Sequence, residues 1–476
     1  MEFDKDLAAR QEARLLCKQA EKAQKILANM SQQALDKICQ NIAKRFSAAA
    51  EDLAEMAVKE TGFGNAHDKT IKNRFASETV WDAIAPMRTV GILSEDPQKK
   101  LWEIGVPVGL IAAIVPSTNP TSTICYKTLI ALKAGNSIVF SPHPKALSCS
   151  LRAVQIIIAA AEEAGAPAGC ISCLSLASMA GTQELMTAPE VRLILATGGP
   201  AMVRAAYSSG KPAIGVGAGN GPAYIHHSAD VNEALDHIIL SKNFDYGTVC
   251  ASEQSIIVEK SMEQAVIHAA EGKGIYLMNH EEAGKLAALL FRPSGALNPD
   301  IVGKPALQLA KMAGFHVPAN TKILMAREQE AGPTRPYSME KLCPVLAFFV
   351  MQNEDEVLKK VVEVLSHEGS GHTFAMHCND RKVIERFALN VPVSRFLVNT
   401  PAALGGIGKS TSLFPALTLG CGAVGGSSSS NNIGPTDLIN IRRVAWGLNE
   451  NTERPCVDND LVEILAAKIL ERLQQK

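Results

Sequence analysis

One cysteine lies where its thiol could act as a nucleophile. Cys250 belongs to the small-residue segment 247–252 (GTVCAS), and the apolar run 256–258 (IIV) follows it. This arrangement predicts a thiol held at the end of a buried strand, in a cleft. Most buried cysteines are simply small hydrophobic core residues, and catalysis requires surroundings that favour the thiolate. The chemistry of neighbouring segments therefore decides between the two interpretations.

An asparagine follows another buried run. Residues 110–115 (LIAAIV) are continuously apolar, and Asn119 lies just beyond them in the segment 115–120 (VPSTNP). A side-chain amide placed there could donate a hydrogen bond to the oxyanion that forms when a thiol adds to a carbonyl group. An Asn-Pro pair is also common in ordinary turns. Both interpretations are open from these residues alone.

Glycines mark a candidate phosphate site. The segment 196–200 (ATGGP) lies between an apolar run that ends at Leu195 and a helix predicted to begin near Pro200. Glycines permit close approach of a ligand to the backbone, and a helix N-terminus favours a phosphate. Two glycines before a helix also occur in simple turns, and no G-x-G-x-x-G motif follows a strand here.

The elements that must position these residues alternate between strands and helices. Residues 5–60 have helical periodicity, and from residue 110 apolar runs of strand length alternate with helical patterns. This alternation predicts a doubly wound parallel sheet. A second alternating region from about residue 229 predicts a second α/β domain, with a cleft between the two. The Gly- and Ser-rich segment 405–434 is predicted to be a loop.

Composition limits the classes of partner. The 476 residues suffice for two or three domains, and 47% are hydrophobic. Lys and Arg number 47 against 48 Asp and Glu, and aromatic residues make up 5%, so no nucleic-acid surface is predicted. The 11 cysteines show no zinc-ligand spacing and are typical of free thiols in a reducing compartment, so no metal is expected.

Targeting signals are not evident either. The longest apolar stretch, 109–116, is far shorter than the ~20 residues of a membrane span. The charged N-terminus leads into a helical pattern and is unlike a signal peptide. We expect a soluble cytoplasmic protein without a membrane partner.

Together, the segments around Cys250 and Asn119 resemble the nucleophile and oxyanion segments of the aldehyde dehydrogenase superfamily. The resemblance runs from about residue 10 to about residue 448 and is strongest to the CoA-acylating branch. It implies two doubly wound α/β domains with a small oligomerisation β-arm, assembled as a homodimer or homotetramer. The domain boundaries it implies are 1–89 and 109–230 for the dinucleotide-binding domain, 231–425 for the catalytic domain, 90–108 and 426–448 for the arm, and 449–476 for a linker and amphipathic C-terminal helix.

The resemblance also implies a role for each site residue. Cys250 forms a thioester, and the Asn119 amide and the Cys250 backbone N–H stabilise the oxyanion. Glu340 holds the nicotinamide ribose, although an isolated Glu-Lys pair is more typical of a solvated surface. The remaining cofactor-binding residues implied are Pro116, Ser117, Thr118, Ser141, Pro142, His143, Thr197, Gly198, Gly199, Gly217 and Leu342. Where relatives often carry a Glu that discourages a 2′-phosphate, this chain has Pro144, so the resemblance favours NAD and leaves NADP open.

By the same resemblance, residue 216 lacks a carboxylate that hydrolytic relatives carry. Hydrolytic relatives carry a Glu that activates water on the thioester, and aligning the segment 219–222 (GNGP) places Val216 at that position. Valine cannot act as a general base. The thioester would then await another nucleophile, which in the acylating branch is the thiol of coenzyme A. By the same resemblance His372 orients CoA or accepts the thiol proton, while a structural hydrogen-bonding role is the alternative.

The C-terminal segment has its own pattern. Residues 449–458 are polar, and Leu461, Leu465, Ile469 and Leu473 then recur at a spacing of four, which predicts an amphipathic helix. Residues 459–476 resemble the encapsulation peptides that bind shell proteins of bacterial microcompartments. The alternative is a terminal helix that packs on its own subunit.

The predicted function is NAD-dependent, CoA-acylating oxidation of a short-chain aldehyde, with acetaldehyde as the substrate favoured by resemblance. Propionaldehyde, succinic semialdehyde and sulfoacetaldehyde are alternative substrates. Two other classes stay open: a hydrolytic aldehyde dehydrogenase, against which Val216 argues, and a structural cargo protein without activity. The intact set of Cys250, Asn119 and Glu340 argues against the latter.

Overall fold

The apolar runs of the first half form one parallel sheet beneath a layer of helices. The computed structural model describes residues 4–448 and 459–474. The N-terminal helices are α1 (Lys5–Leu27), α2 (Gln32–Ala48), α3 (Ala50–Thr61), α4 (Ala66–Arg74) and α5 (Val80–Ile84). The elements that follow are β1 (Gly91–Asp96), β2 (Leu101–Pro107), β3 (Leu110–Ile114), α6 (Pro120–Lys133), β4 (Ile138–Ser141), α7 (Leu147–Glu163), β5 (Ile171–Cys173), α8 (Met179–Thr187), β6 (Val191–Thr197), α9 (Pro200–Tyr207) and β7 (Ala213–Val216). The first sheet has the parallel order β5-β4-β3-β6-β7, as the alternating pattern predicts.

The strands of this sheet are unbroken apolar runs because both faces of the sheet are buried. All five residues of β3 are buried, because helices cover the sheet on both faces. Every residue of α6 is buried as well, including two lysines. Lys127 Nζ donates to the carbonyls of Ile114 and Leu195, over 2.7 and 2.9 Å. This side chain therefore joins the carboxyl ends of β3 and β6, where a ligand would bind.

The second half forms a larger parallel sheet. Its elements are β8 (Gly221–Ile225), α10 (Val231–Asn243), β9 (Glu253–Glu259), α11 (Glu263–Lys273), β10 (Ile275–Leu277), α12 (His280–Leu290), α13 (Ala306–Met312), β11 (Ile323–Arg327), β12 (Val345–Met351), α14 (Glu354–His367), β13 (Gly371–His377), α15 (Arg381–Asn390), β14 (Val393–Val398) and α16 (Ala402–Gly406). The strand order is β10-β11-β12-β9-β8-β13-β14. The strands of the two sheets pack in different buried clusters, and the main cluster of the first sheet also includes side chains from 244–251 and 403–438.

The boundary between the sheets differs from the sequence-based one. We expected the first domain to run to residue 230, but β8 lies between β9 and β13 in the second sheet. The change of sheet therefore falls between Val216 and Gly221. The reason is that β7 and β8 are separated by only a short glycine-containing segment. That segment carries no helical pattern by which the crossing could be recognised.

A third sheet is antiparallel and small. Strand β15 (Ile439–Ala445) pairs with β2, which also pairs with β1, in the order β1-β2-β15. Trp102 on β2 and Trp446 just after β15 meet edge to face, with ring centroids 4.9 Å apart. Strands that are far apart in the chain thus build this sheet, and they lie within the ranges 90–108 and 426–448 that we expected for the arm.

Two helices are relevant to the predictions that the chain does not cross a membrane and that it ends in an amphipathic helix. Residues Pro144–Glu163 are long and apolar enough to cross a membrane by length and composition alone. Ala153, Ile157 and Ala160 of this segment pack in the buried core of the first domain, as in a soluble α/β protein.

The last helix, α17 (Asn459–Gln474), exposes Leu465, Ile469 and Leu473. The predicted linker 449–458 lies outside the described residues, and so does the side chain of Leu461.

Candidate active site

A cavity of about 700 Å³ lies where the carboxyl ends of the first sheet face the amino end of β9. Loops after β3, β4, β6 and β7 form one side, and the segment before β9 forms the other. This is the position at which open α/β sheets bind ligands. Fourteen of the fifteen predicted site residues line it: Pro116, Ser117, Thr118, Asn119, Ser141, Pro142, His143, Thr197, Gly198, Gly199, Gly217, Cys250, Glu340 and Leu342. His372 is the exception.

A tight loop holds Cys250 at this cavity. Asp245 and Tyr246 adopt left-handed backbone angles, with φ of 49° and 51°, which turn the chain sharply before β9. The segment before β8 packs directly on the loop: a Cβ on Gly219 would lie 2.0 Å from the Cys250 carbonyl oxygen. Glycine is therefore the residue that lets the two segments touch. The thiol is partly exposed to the cavity.

The resting thiol is protonated. Burial raises the pKa of Cys250 to about 12, with a smaller contribution from the nearby Glu340 carboxyl group. Burial also raises the pKa of Glu340 to about 8, helped by Glu368. At neutral pH Glu340 is thus mostly uncharged, so desolvation is the main barrier to ionising Cys250. Arg395 acts in the opposite direction and lowers the pKa of Cys250.

Asn119 presents its amide to the nucleophile loop. It caps α6, with Pro120 as the first helical residue. Its Nδ2 donates to the carbonyl oxygen of Thr248 and to Oγ1 of Thr118, both over 3.2 Å. Contacts of this length are at the weak end of the hydrogen-bond range, so an oxyanion near Cys250 can replace one of them. The backbone of Asn119 is that of a helix N-cap residue, and its side-chain NH2 group is directed at the loop that carries Cys250.

Two lysines that the sequence analysis missed lie behind Asn119. Lys69 and Lys72 on α4 both donate to Oδ2 of Asp245, over 2.9 and 2.5 Å, and all three side chains are buried. Lys72 Nζ also donates to Oδ1 of Asn119 over 2.6 Å. Burial lowers the pKa of Lys72 to about 8, against the opposing effect of Asp245. Two lysines three apart on a polar helix gave no signal, because their partner is more than 170 residues away in sequence.

Glu340 lies in the cavity wall and not on a solvated surface. Its Oε1 accepts from the backbone N–H of Gly219 over 3.0 Å, and the neighbouring Lys341 is fully buried. The backbone N–H of Glu340 donates to Oε2 of Glu368 over 2.7 Å. These bonds tie the carboxyl group to the segment before β8 and leave it accessible from the cavity.

The opposite wall suits a dinucleotide. Gly199 caps α9 and Pro200, which has no N–H, is its first residue, while the N–H groups of Met202 and Val203 donate to the Gly199 carbonyl. A phosphate here would be bound through the N–H groups before Met202 and the positive end of the helix dipole. Oγ1 of Thr197 is buried without a hydrogen-bond partner among the described residues. A Cβ on Gly199 or Gly217 would meet nothing within 4 Å, so there is open space beside the backbone. Ser141 Oγ is hydrogen-bonded to Thr182 Oγ1 over 2.8 Å at the far end of the cavity.

Comparison with known proteins agrees with this geometry. The sequence matches the aldehyde dehydrogenase family over residues 4–273. The chain belongs to the aldehyde dehydrogenase family. It is 43% identical over 439 residues to the bifunctional aldehyde-alcohol dehydrogenase AdhE of Escherichia coli K12, covering 91% of this chain and 49% of that protein. The chain thus spans about half the length of that curated relative.

Solved structures of the family share the whole fold. A probable aldehyde dehydrogenase from Listeria monocytogenes is 54% identical with a TM-score of 0.93, covering 94% of this chain and 99% of that one. An acetylating aldehyde dehydrogenase from Geobacillus thermoglucosidasius is 48% identical with the same TM-score and coverage. A Rhodopseudomonas palustris propionaldehyde dehydrogenase with bound CoA and an acylated cysteine is 28% identical, with a TM-score of 0.83 over 91% of this chain and 97% of that one.

Val216, which the resemblance aligns with the general base of hydrolytic relatives, lines the cavity. It ends β7, is 97% buried and lines the cavity with the adjacent Gly217. Among the described cavity-lining residues, Glu340 is the one carboxyl group. No other acidic side chain of that lining is placed to activate water on an acylated Cys250.

His372 lies behind the cavity wall and does not line it. The ring is fully buried against the segment before β8, and its Cε1 would lie 3.2 Å from a Cβ on Gly219. Nδ1 is hydrogen-bonded to Thr373 Oγ1 over 2.9 Å, while Nε2 has no partner among the described residues. Burial, then Arg395, lowers the pKa of His372 to about 3, so the ring is neutral at physiological pH. This arrangement favours the structural interpretation.

Two histidines and a glutamate lie close together at the carboxyl ends of β8 and β9 in the second sheet. His226, His227 and Glu259 follow or end β8 and β9, and their ligand atoms lie within 4.8 Å of one another. The backbone N–H of Ser228 donates to Nδ1 of His226 over 3.2 Å. Nδ1 therefore already accepts a hydrogen bond and the proton of the neutral ring lies on Nε2, so neither nitrogen offers a free lone pair to a cation. We assign no cation site to this arrangement.

Proposed function

We propose that this chain oxidises a short-chain aldehyde to an acyl-CoA, with NAD as the hydride acceptor, in a reversible reaction. The proposal rests on the residues that line the cavity. Cys250, Asn119 and Val216 all line it. By resemblance, Val216 stands where hydrolytic members of the family carry a general base. Acetaldehyde is the favoured substrate, because relatives of high identity include AdhE and an acetylating aldehyde dehydrogenase.

The chemistry follows from these positions. The Cys250 thiol first loses its proton to solvent. The thiolate then adds to the aldehyde carbon, so that a C–S bond forms while the C=O π bond opens and the carbonyl oxygen becomes an oxyanion. The Asn119 amide and the Cys250 backbone N–H stabilise that charge. Collapse of the oxyanion re-forms the C=O bond as a hydride leaves the same carbon, which gives the thioester; a nicotinamide, when bound, would accept this hydride. The CoA thiolate then adds to the thioester, the C–S bond to Cys250 breaks, and acyl-CoA departs with the Cys250 thiolate regenerated.

Several residues prepare the cofactor site. Gly198, Gly199 and the N-terminus of α9 would hold a pyrophosphate. The Thr197 hydroxyl, which has no hydrogen-bond partner among the described residues, could also bind to it. Glu340 would accept from the nicotinamide ribose. Ser141 and Pro144 line the adenosine end, and neither side chain is charged. NAD is the proposed cofactor by resemblance, and comparing kcat/KM for NAD and NADP would test the choice.

One assay separates the candidate functions. NADH production from acetaldehyde is measured with and without CoA, and the products are resolved into acetate and acetyl-CoA. We expect CoA-dependent turnover and acetyl-CoA as the product. Cys250→Ala is the control that should lose activity while remaining folded. Acetate formation without CoA would instead establish a hydrolytic enzyme, and no turnover on a panel including propionaldehyde, succinic semialdehyde and sulfoacetaldehyde would remove the enzymatic proposal.

We further propose that α17 binds a microcompartment shell protein, and that the antiparallel arm mediates a homodimer or homotetramer. The support for the first is the exposure of Leu465, Ile469 and Leu473, at 52, 57 and 69%. An unpaired apolar stripe on a helix can enter a groove of a partner. The support for the second is that the arm exposes an edge strand on β15. Size-exclusion chromatography with light scattering tests the oligomer.

A further inference from the structure

Four side chains behind the nucleophile loop form a closed hydrogen-bonded ring. Lys72 Nζ donates to Oδ1 of Asn119, and Nδ2 of Asn119 donates to the backbone carbonyl of Thr248. The Thr248 hydroxyl donates to Oδ2 of Asp245 over 2.6 Å, and Lys72 Nζ donates to the same carboxylate oxygen over 2.5 Å. The ring joins α4, the N-terminus of α6 and the loop that carries Cys250.

The donors of Lys72 are fully used in this ring. An ammonium group has three N–H donors and no acceptor. The three acceptors here are Asn119 Oδ1, Asp245 Oδ2 and the Thr248 hydroxyl, the last over 3.0 Å. A fully satisfied buried cation is held in one position. The atom of Asn119 that faces it must be the amide oxygen, because an NH2 group cannot accept.

We infer that Lys72 is a positioning residue for the oxyanion donor: it fixes the Asn119 amide with NH2 toward the Cys250 loop. The inference rests on the proposed function, in which that NH2 group stabilises the oxyanion. A cation on the carbonyl side of an amide also strengthens its NH2 as a donor, since charge-assisted contacts polarise the group. Asp245 and Thr248 set the place of the cation relative to Cys250, which lies two residues after Thr248.

Lys69 offers a matched control. It donates to the same Asp245 oxygen as Lys72 and is equally buried, but its other contact is the backbone carbonyl of Thr118, over 2.8 Å, and not the Asn119 side chain. Replacing either lysine by Met removes one buried positive charge from the same carboxylate. Only Lys72→Met removes the contact to the amide.

The experiment is a double-mutant cycle read by single-turnover hydride transfer, followed as the NADH burst without CoA. Asn119→Ala should slow the burst by about 10²–10³-fold. Lys72→Met should slow it by at least about tenfold, and should add less than about twofold in the Asn119→Ala background, because both changes remove the same oriented donor. Lys69→Met should lower the melting temperature comparably and slow the burst much less.

The outcomes separate the inference from the proposed function. If Asn119→Ala leaves the burst unchanged, the oxyanion role of Asn119 fails, whatever Lys72 does. If Asn119→Ala is slow and Lys72→Met is not, or if the two effects multiply, Lys72 does not act through Asn119 and the inference is overturned. Should Lys72→Met fail to fold, the same cycle is run with Lys72→Gln, which keeps one donor for the amide oxygen and is expected to show a smaller, equally non-additive loss.

Discussion

At the scale of single residues, the site depends on suppressing charge and on the absence of one carboxylate. Cys250 and Glu340 are both driven toward their neutral forms by burial. Val216 lines the same cavity, in which Glu340 is the one carboxyl group among the described lining residues. Substitutions at Val216 and Glu340 test these two properties.

Val216→Glu is expected to redirect the acylated enzyme toward water. The new carboxyl group would enter the cavity beside Gly217 and could accept a proton from a water molecule that attacks the thioester. The ratio of free acid to acyl-CoA at fixed CoA should rise severalfold. Val216→Gln, which adds similar volume without a base, is the control. A folded Val216→Glu enzyme with an unchanged ratio would detach the acylating chemistry from this position.

Glu340 should give stability a specific pH dependence. Its pKa is about 8 in the folded protein, against 4.5 for an unperturbed group. Between these values the folded state retains a proton that the unfolded chain has released, so stability falls as the pH rises through this window. Glu340→Gln removes the titration. The melting temperature of the variant relative to wild type should therefore increase from pH 5 to pH 9. A constant difference over that range would mean that Glu340 titrates normally.

The sequence marks cavity-lining residues that lie in short distinctive segments, and it does not mark those whose contacts are distant in the chain. Cys250, Asn119 and Thr197 each lie among small residues or glycines next to an apolar run, and all three line the cavity. Lys72 has no such mark, because only the folded chain brings it to Asp245 and Asn119. His372 shows the converse: its motif was recognisable, but the fold places the ring behind the cavity wall.

At the scale of elements, the segment between β7 and β8 is the part that sets the site geometry. It crosses from one sheet to the other and carries Gly217 to the cofactor side and Gly219 to the Cys250 loop. The sequence-based boundary at residue 230 missed this crossing, because β8 is short and no helix separates it from β7. The alternation of apolar runs predicted which strands exist, and pairing alone decided the sheet to which β8 belongs.

Gly219→Ala tests the contact between this segment and the nucleophile loop. The added Cβ would lie 2.0 Å from the Cys250 carbonyl oxygen, so one of the two backbones must move. A displacement of about 1 Å at a reacting group can cost about 10²-fold in rate, and we expect a loss of that order in kcat. Gly272→Ala is the control, since a Cβ there meets nothing within 4 Å. Equal kcat values for the two variants would show that the loop tolerates the shift.

At the scale of the whole molecule, the catalytic body and the last helix are separable. The cavity is built from residues 72 to 419, and none of its lining residues comes from α17. The apolar residues that α17 exposes do not pack on the described body of the same chain.

Deleting residues 455–476 should therefore leave kcat, melting temperature and oligomeric state close to those of the full chain. The same segment fused to a fluorescent protein should co-localise with microcompartment shells in cells that produce them, and replacing Leu465 and Ile469 with Ser should abolish this. Loss of the oligomer on deletion would show that α17 packs between subunits. Diffuse fluorescence of the fusion in shell-producing cells would remove the shell proposal.

The antiparallel arm has a consequence for the order in which the protein is made. Strand β2 is the middle strand of that sheet, yet one of its partners, β15, lies more than 300 residues later in the chain. The core of the first sheet includes Ala403, Ile407 and Leu438, so it too is completed only when this part of the chain has been made. Until then the edge of β2 that pairs with β15 is open, and an open strand edge can pair with other chains. Residues 439–445 close that edge.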